Sequence, residues 1–196
     1  MKMVERIGIV GGTFDPPHFG HLALANAASE ALQLSEVRFV VANDPWQKSG
    51  DQRVTAAKIR LEMVQALVGE TTKFVVSDSE IRRGGPSYTI DTVKELHEKS
   101  RKKILISLIL GADAAGGLQS WHRSEELRQL VQIVVVDRAW SARDVPKGWR
   151  FQRLEMESVD ISSSTIRERV REGKTIRHLV GEPVNSYIEN SGLYRK

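Results

Sequence analysis

The chain has no cysteine among its 196 residues, which excludes disulfides and thiolate-held zinc or iron–sulfur centres. Long apolar runs are missing too. No stretch approaches the roughly 18 consecutive apolar residues that suggest a membrane span. The opening MKMVERIGIV lacks the apolar core of a secretory leader, so cytoplasm is the default compartment. Internal repeats, low-complexity tracts and linker-like segments are also absent, and residues 1–196 are expected to form a single domain. Charge of one sign is only weakly in excess. The formal net charge is +4, which suits anionic ligands but does not single out nucleic acid. Neither a nucleic acid nor a membrane is an expected partner. What remains is a globular composition, 40% hydrophobic and 28% charged, in a chain long enough to bury a sizeable core.

Short Val/Ile/Leu-rich runs predict strands at 6–10, 37–42, 73–77, 104–110 and 133–137. Helical patterns fall at 22–34, 56–68, 89–99 and 125–130, with two more near the C-terminus. The run ILISLIL at 104–110 is apolar throughout, as a parallel strand buried on both faces requires. Such alternation argues for a doubly wound, mostly parallel open sheet. Residues 139–152 read as a surface loop leading to a short strand.

The most informative segment is GGTFDPPHFGH, residues 11–21, directly after the first predicted strand. In an open α/β sheet that is where ligands bind, and the following helix start offers free N–H groups to a phosphate. Gly11 and Gly12 allow a sharp turn and close ligand approach. Thr13 adds a hydroxyl, and Pro16-Pro17 stiffens the entry to the helix. His18 and His21, three apart, can share one face and donate to oxygens that gain charge in a transition state. Metal binding by the pair lacks an obvious third ligand. A Gly-Gly turn with surface histidines is the plain structural alternative. The glycines fit neither GxGxxG nor the P-loop pattern.

Taken whole, this segment resembles the T/HxGH signature of the nucleotidylyltransferases, and most closely that of the bacterial nicotinate-nucleotide adenylyltransferases. Four further segments, in the same order, extend the resemblance over almost the whole chain. Asn43 to Lys48 is similar to the family's loop after the second strand, although Trp46-Gln47 stands where many members have Pro-His. Ser87-Tyr88-Thr89-Ile90-Asp91-Thr92 resembles the segment that closes on the pyridine ring, with Thr89 as a candidate helix N-cap. Gly111-Ala112-Asp113 and Trp121 resemble a GAD…W arrangement. Ile161-Ser162-Ser163-Ser164-Thr165-Ile166-Arg167 resembles the family's ISSTxIR signature. Asp137-Arg138 fits a family position after the fifth strand. His97, His122 and His178 have no such support and read as surface or packing residues.

The resemblance implies a Rossmann-like nucleotidylyltransferase fold and transfer of AMP from ATP to nicotinate mononucleotide in NAD biosynthesis. It implies His18, His21, Lys48 and Arg167 as catalytic residues. ATP would be held by Gly11, Gly12, Thr13, Phe14, Gly111, Asp113, Ile161, Ser162, Ser163 and Ser164. The nicotinate nucleotide would be held by Ser87, Tyr88, Thr89, Trp121 and Arg138. Magnesium would be carried mainly by substrate phosphates and water, with no metal ligand assigned in the protein. Alternatives are another acceptor, such as phosphopantetheine or nicotinamide mononucleotide, and a nucleotide-binding regulator without turnover. The sequence leaves oligomeric state, including a homo-oligomer, open.

Overall fold

A computed structural model describes residues 4–45, 54–137, 145–156 and 161–195. Six strands, β1 (Glu5–Gly12), β2 (Glu36–Val41), β3 (Phe74–Ser77), β4 (Ile104–Leu110), β5 (Val131–Asp137) and β6 (Phe151–Glu155), form one sheet. Its order is β3-β2-β1-β4-β5-β6, and all five pairings are parallel. The chain winds outward from β1 in one direction, then restarts at β4 and winds in the other. The switch point between β1 and β4 is therefore the expected ligand crevice.

Helices cover both faces. Helices α1 (Phe19–Leu32) and α2 (Ala57–Val68) lie on one face. Their Ala25, Ala28, Val64 and Val68 pack on Val10, Phe39, Ile109 and Val134 of the sheet. The short α3 (Ser79–Arg83) leads into α4 (Thr89–Lys99). Helices α4, α5 (Ala112–Gly116) and α6 (Ser124–Leu130) cover the opposite face. There Ile90, Val93, Ala115 and Leu127 meet Ile7, Ile9, Ile106 and Leu108. The chain ends in α7 (Ser163–Arg171), α8 (Arg177–Val180) and α9 (Glu182–Ser191). These bury Ile166, Ile176, Val180, Val184 and Ile188 against Met63 and Leu67 on the outer side of α2. This third layer brings the start of α7 to the end of β1. No helix among the described residues is long and apolar enough to cross a membrane.

Several boundaries depart from the sequence expectation. The first strand does not stop at Val10, because Gly11 and Gly12 continue the ladder opposite Val40 and Val41. The turn comes later, at Phe14, whose φ is +52°, a left-handed conformation uncommon for a bulky residue. Helix α1 starts at Phe19 with His18 as its N-cap, three residues before the apolar pattern begins. Thr89 is the first residue of α4, and Tyr88 is its N-cap. Helices α3 and α5 have five residues each, too short for a periodic signal. Three helices, not two, close the chain. Within the segment read as a surface loop, Val145 and Trp149 are buried in the cluster beneath α4 and α6.

Candidate active site

A cleft opens at the C-terminal ends of β1, β2 and β4. Gly11, Gly12 and Thr13 form one part of its lining, and Ser87, Tyr88, Thr89, Trp121 and His122 another. Two of the separated sequence segments thus share a single cavity with the opening motif. Gly11 has no atom within 4 Å of where a Cβ would stand, so its bare backbone leaves the cleft open. At Gly12 a Cβ would lie 3.2–3.3 Å from the Phe14 ring. The glycines therefore act by lacking side chains at a strand end, not by making the turn. Phe14 is 2% exposed, so its ring is core and only its backbone is available to a nucleotide.

The two histidines are held as a pair. The His18 amide donates to Nδ1 of His21 at 3.1 Å, and the His21 amide donates to the His18 carbonyl at 2.9 Å. An accepting Nδ1 places the proton of a neutral His21 ring on Nε2. The ring centroids lie 3.8 Å apart, and Phe14 meets His21 edge-on at 4.8 Å. Gly20 makes this packing possible: a Cβ there would come within 2.9 Å of His18 Nδ1.

Burial lowers the pKa of His18 to about 4, so its imidazole is neutral at pH 7. The unfolded chain takes up that proton near the ordinary value of 6.5. Between the two values the unfolded state binds more protons, so stability falls as pH drops through this window. The loss attributable to His18 between pH 7 and pH 4 is expected to be about 3 kcal/mol. Unfolding free energies of wild type and His18→Asn, measured across pH 4–7, test this. The variant should have the shallower slope, and parallel slopes would contradict the assignment.

Three carbonyls of the loop carrying these residues, those of Thr13, Asp15 and Pro16, accept from side chains of other elements. Arg60, 1% exposed, donates from Nη1 to the Thr13 carbonyl at 2.6 Å. Its Nη2 reaches the Ala42 carbonyl at 2.7 Å and the Asn43 carbonyl at 3.2 Å, and its Nε the Thr55 carbonyl at 2.6 Å. Ser163 Oγ donates to the Pro16 carbonyl at 2.8 Å. Arg167 Nη1 donates to the Asp15 carbonyl at 2.7 Å. Ser162 caps α7 by accepting from the Thr165 amide at 3.1 Å. The last sequence segment is thus joined to the first, and Arg167 directs one arm of its guanidinium at the backbone of the loop.

The pyridine-side segment is zipped to the loop after β2. Ser87 Oγ accepts from the Asn43 amide at 2.8 Å, the Ser87 amide donates to the Asp44 carbonyl at 3.0 Å, and Asp44 bridges Pro86. Tyr88 and His122 stack with centroids 4.0 Å apart. Trp121 packs against the core cluster, and its Nε1 is buried with no partner among the described residues. Glu80 is buried, lines the same cleft and accepts from Thr92 Oγ1 at 2.7 Å.

Not every expected residue lies on the cleft wall. Gly111 and Asp113 open α5, but Ala114 is the residue of that turn lining the cavity. Ile161 to Ser164 stand beside the 13–18 loop rather than on this wall. Lys48 and Arg138, with Trp46 and Gln47, lie outside the described residues. No group of three or more His, Asp or Glu side chains suited to a metal occurs among the described residues. Asp15, Arg60 and Glu80 carry no site assignment from the sequence, and His122, expected as a surface or packing residue, lines the cleft. Arg60 left a signal: it sits three, four and seven residues before Met63, Val64 and Leu67, on the buried stripe of α2.

Crevices at this point of a doubly wound sheet, rimmed by backbone N–H groups, take phosphorylated ligands, and nucleotide-binding α/β proteins are the class these elements define. The cytidylyltransferase-like family model matches residues 9–169. The probable nicotinate-nucleotide adenylyltransferase of Exiguobacterium sibiricum is 43% identical over 189 residues, covering 96% of this chain and 98% of that one. Its counterpart in Acidothermus cellulolyticus is 39% identical over 198 residues, covering 97% and 95%. A solved Plasmodium falciparum nicotinic acid mononucleotide adenylyltransferase, complexed with NaAD, covers 97% of both chains with a TM-score of 0.76. At 20% identity that likeness establishes a shared fold. The chain belongs to the nicotinate-nucleotide adenylyltransferases within the cytidylyltransferase-like family.

Proposed function

We propose that this protein transfers the adenylyl group of ATP to nicotinate mononucleotide, giving nicotinate adenine dinucleotide and pyrophosphate, as the names of its relatives indicate. The observation that carries this reading is the single cleft lined by both Gly11–Thr13 and Ser87–Thr89 with Trp121. It has a phosphate end and an aromatic end. An oxygen of the mononucleotide phosphate attacks the α-phosphorus of ATP. The new P–O bond forms as the bond to the β-phosphate breaks, and pyrophosphate leaves with the electron pair. The attacking phosphate monoester has a second pKa of about 6, so it is mainly a dianion at pH 7 and needs no general base.

Catalysis then rests on alignment and charge stabilisation. In this reading the Nε2–H of His21 and the neutral ring of His18 donate to phosphate oxygens. Lys48 and the remaining donors of Arg167 neutralise the triphosphate. Gly11, Gly12, Thr13, the Phe14 backbone, Gly111, Asp113 and the 161–164 segment border ATP. Magnesium would be held by the triphosphate and water, since it keeps its hydration and the loop's one carboxylate, Asp15, is already engaged by Tyr194 and Thr55. The proposed compartment is the cytoplasm, where ATP is available.

Ser87, Tyr88, Thr89, Trp121 and Arg138 would receive the pyridine nucleotide. The α4 N-terminus, with Tyr88 and Thr89 on the cleft wall, offers amides and a positive dipole end to the nicotinate carboxylate. The uncharged amide of nicotinamide mononucleotide gains less there. Pyrophosphate release with ATP and each acceptor in turn, including phosphopantetheine, tests the assignment. A kcat/KM at least about tenfold higher for nicotinate than for nicotinamide mononucleotide is expected from one charge-assisted contact. Equal values would reject carboxylate recognition, and ATP binding without pyrophosphate release from any acceptor would favour a regulator.

A further inference from the structure

One inward carboxylate in the loop ends on a residue close to the C-terminus. Asp15 is 5% exposed, and its Oδ1 accepts from the Tyr194 hydroxyl at 2.6 Å across 179 positions of sequence. Its Oδ2 accepts from the Thr55 amide at 3.0 Å, and its carbonyl from Arg167 Nη1. Asp15 lies three residues before His18, so its placement sets where α1 begins. We propose that Tyr194 is a positioning residue, which through Asp15 holds the 13–18 loop and thereby aligns His18 and His21 on the ATP phosphates. The claim rests on the AMP-transfer reading above.

Four observations support it besides the hydrogen bond. Tyr194 adopts φ +63°, a conformation that costs free energy for a bulky residue and persists only where contacts enforce it. Burial, followed by the Asp15 charge, raises the pKa of its phenol, so the hydroxyl stays protonated and remains a donor. The Asp15 charge favours the buried guanidinium of Arg60, which holds the Thr13 carbonyl. The tail, the loop and α2 therefore meet at one point. Tyr194 packs with Leu193 on the cluster that joins α2 to α7–α9, which gives its hydroxyl a rigid base.

A merely structural tail anchor predicts something different. Tyr187 serves as the comparison: it sits on α9 and donates to Glu62 Oε2 of α2 at 2.5 Å, in the same C-terminal layer but away from the loop. Tyr194→Phe and Tyr187→Phe each remove one hydroxyl and keep the ring. Steady-state kinetics and hydrogen exchange of the 11–21 segment are measured for both variants in the full chain. Tyr194→Phe is expected to lower kcat about tenfold through misalignment, with both KM values nearly unchanged, and to speed exchange in 11–21. Tyr187→Phe is expected to leave kcat and this exchange at wild-type values. The proposal is overturned if Tyr194→Phe keeps wild-type kcat and exchange, or if Tyr187→Phe reproduces both changes. Failure of wild type to transfer AMP would reject the functional reading alone. Exchange in 11–21 then still decides whether Tyr194 holds the loop.

Discussion

Replacing His21 by alanine is expected to lower kcat by about 10²–10³-fold, the usual cost of removing one preorganised donor from a charge-stabilising site. The ring is fixed from three sides. Its Nδ1 accepts the His18 amide, its face lies against His18, and Phe14 abuts it. With Nδ1 accepting, a neutral ring carries its proton on Nε2. Because the group acts on charge that develops during transfer, kcat and kcat/KM should fall together. Loss of the hydrogen bond to the His18 amide adds about 1 kcal/mol of destabilisation, too little to unfold the domain. Steady-state kinetics with circular dichroism checks both parts. A folded His21→Ala variant with near wild-type turnover would remove the residue from the mechanism.

Arg60→Met is expected to have the largest effect on stability, about 3–5 kcal/mol. Methionine fills much of the same volume but supplies none of the four donor contacts to the carbonyls of Thr13, Ala42, Asn43 and Thr55. Each oxygen left buried without a partner carries a desolvation cost, and Asp15 loses the nearby positive charge. At about 2–4 °C per kcal/mol for a domain of this size, the unfolding midpoint should fall by roughly 10 °C. Denaturant unfolding of the variant measures it. A loss below about 1 kcal/mol would show that water or relaxation replaces the guanidinium, and that the loop does not depend on it.

The fold was legible where one force dominated. ILISLIL reads as a strand buried on both faces; its bounds, Ile104–Leu110, match that expectation, and every residue of it but Leu105 is buried. Helix α4 likewise runs over the expected residues. Local pattern misled where pairing or packing overrode it. Gly11-Gly12 look like a turn, yet ladder bonds to β2 keep them extended, and the bend moves to Phe14. His18 has no hydroxyl or carboxylate to mark it as an N-cap, so the apolar pattern places the helix start three residues late.

The site divides in the same way. The residues proposed to meet a ligand carried recognisable chemistry: the paired histidines and the Tyr-Thr helix start. Of those that hold the loop, Ser163 and Arg167 stand in a recognisable segment, whereas Arg60 and Tyr194 do not. Tyr194 meets Asp15 only because α7–α9 fold back across α2, which no local window encodes. The Tyr88–His122 stack joins residues far apart in sequence; His122 is an exposed packing residue, as expected, but its place on the cleft wall has no local signal.

ATP labelled at the α-phosphorus gives the most direct measure of whether one cleft joins two substrates. Incubated with the protein, magnesium and nicotinate mononucleotide, the label should pass into the dinucleotide, with unlabelled pyrophosphate formed in equal amount. Transfer should require the mononucleotide. Label remaining in ATP, or appearing only in AMP or ADP, would contradict the account.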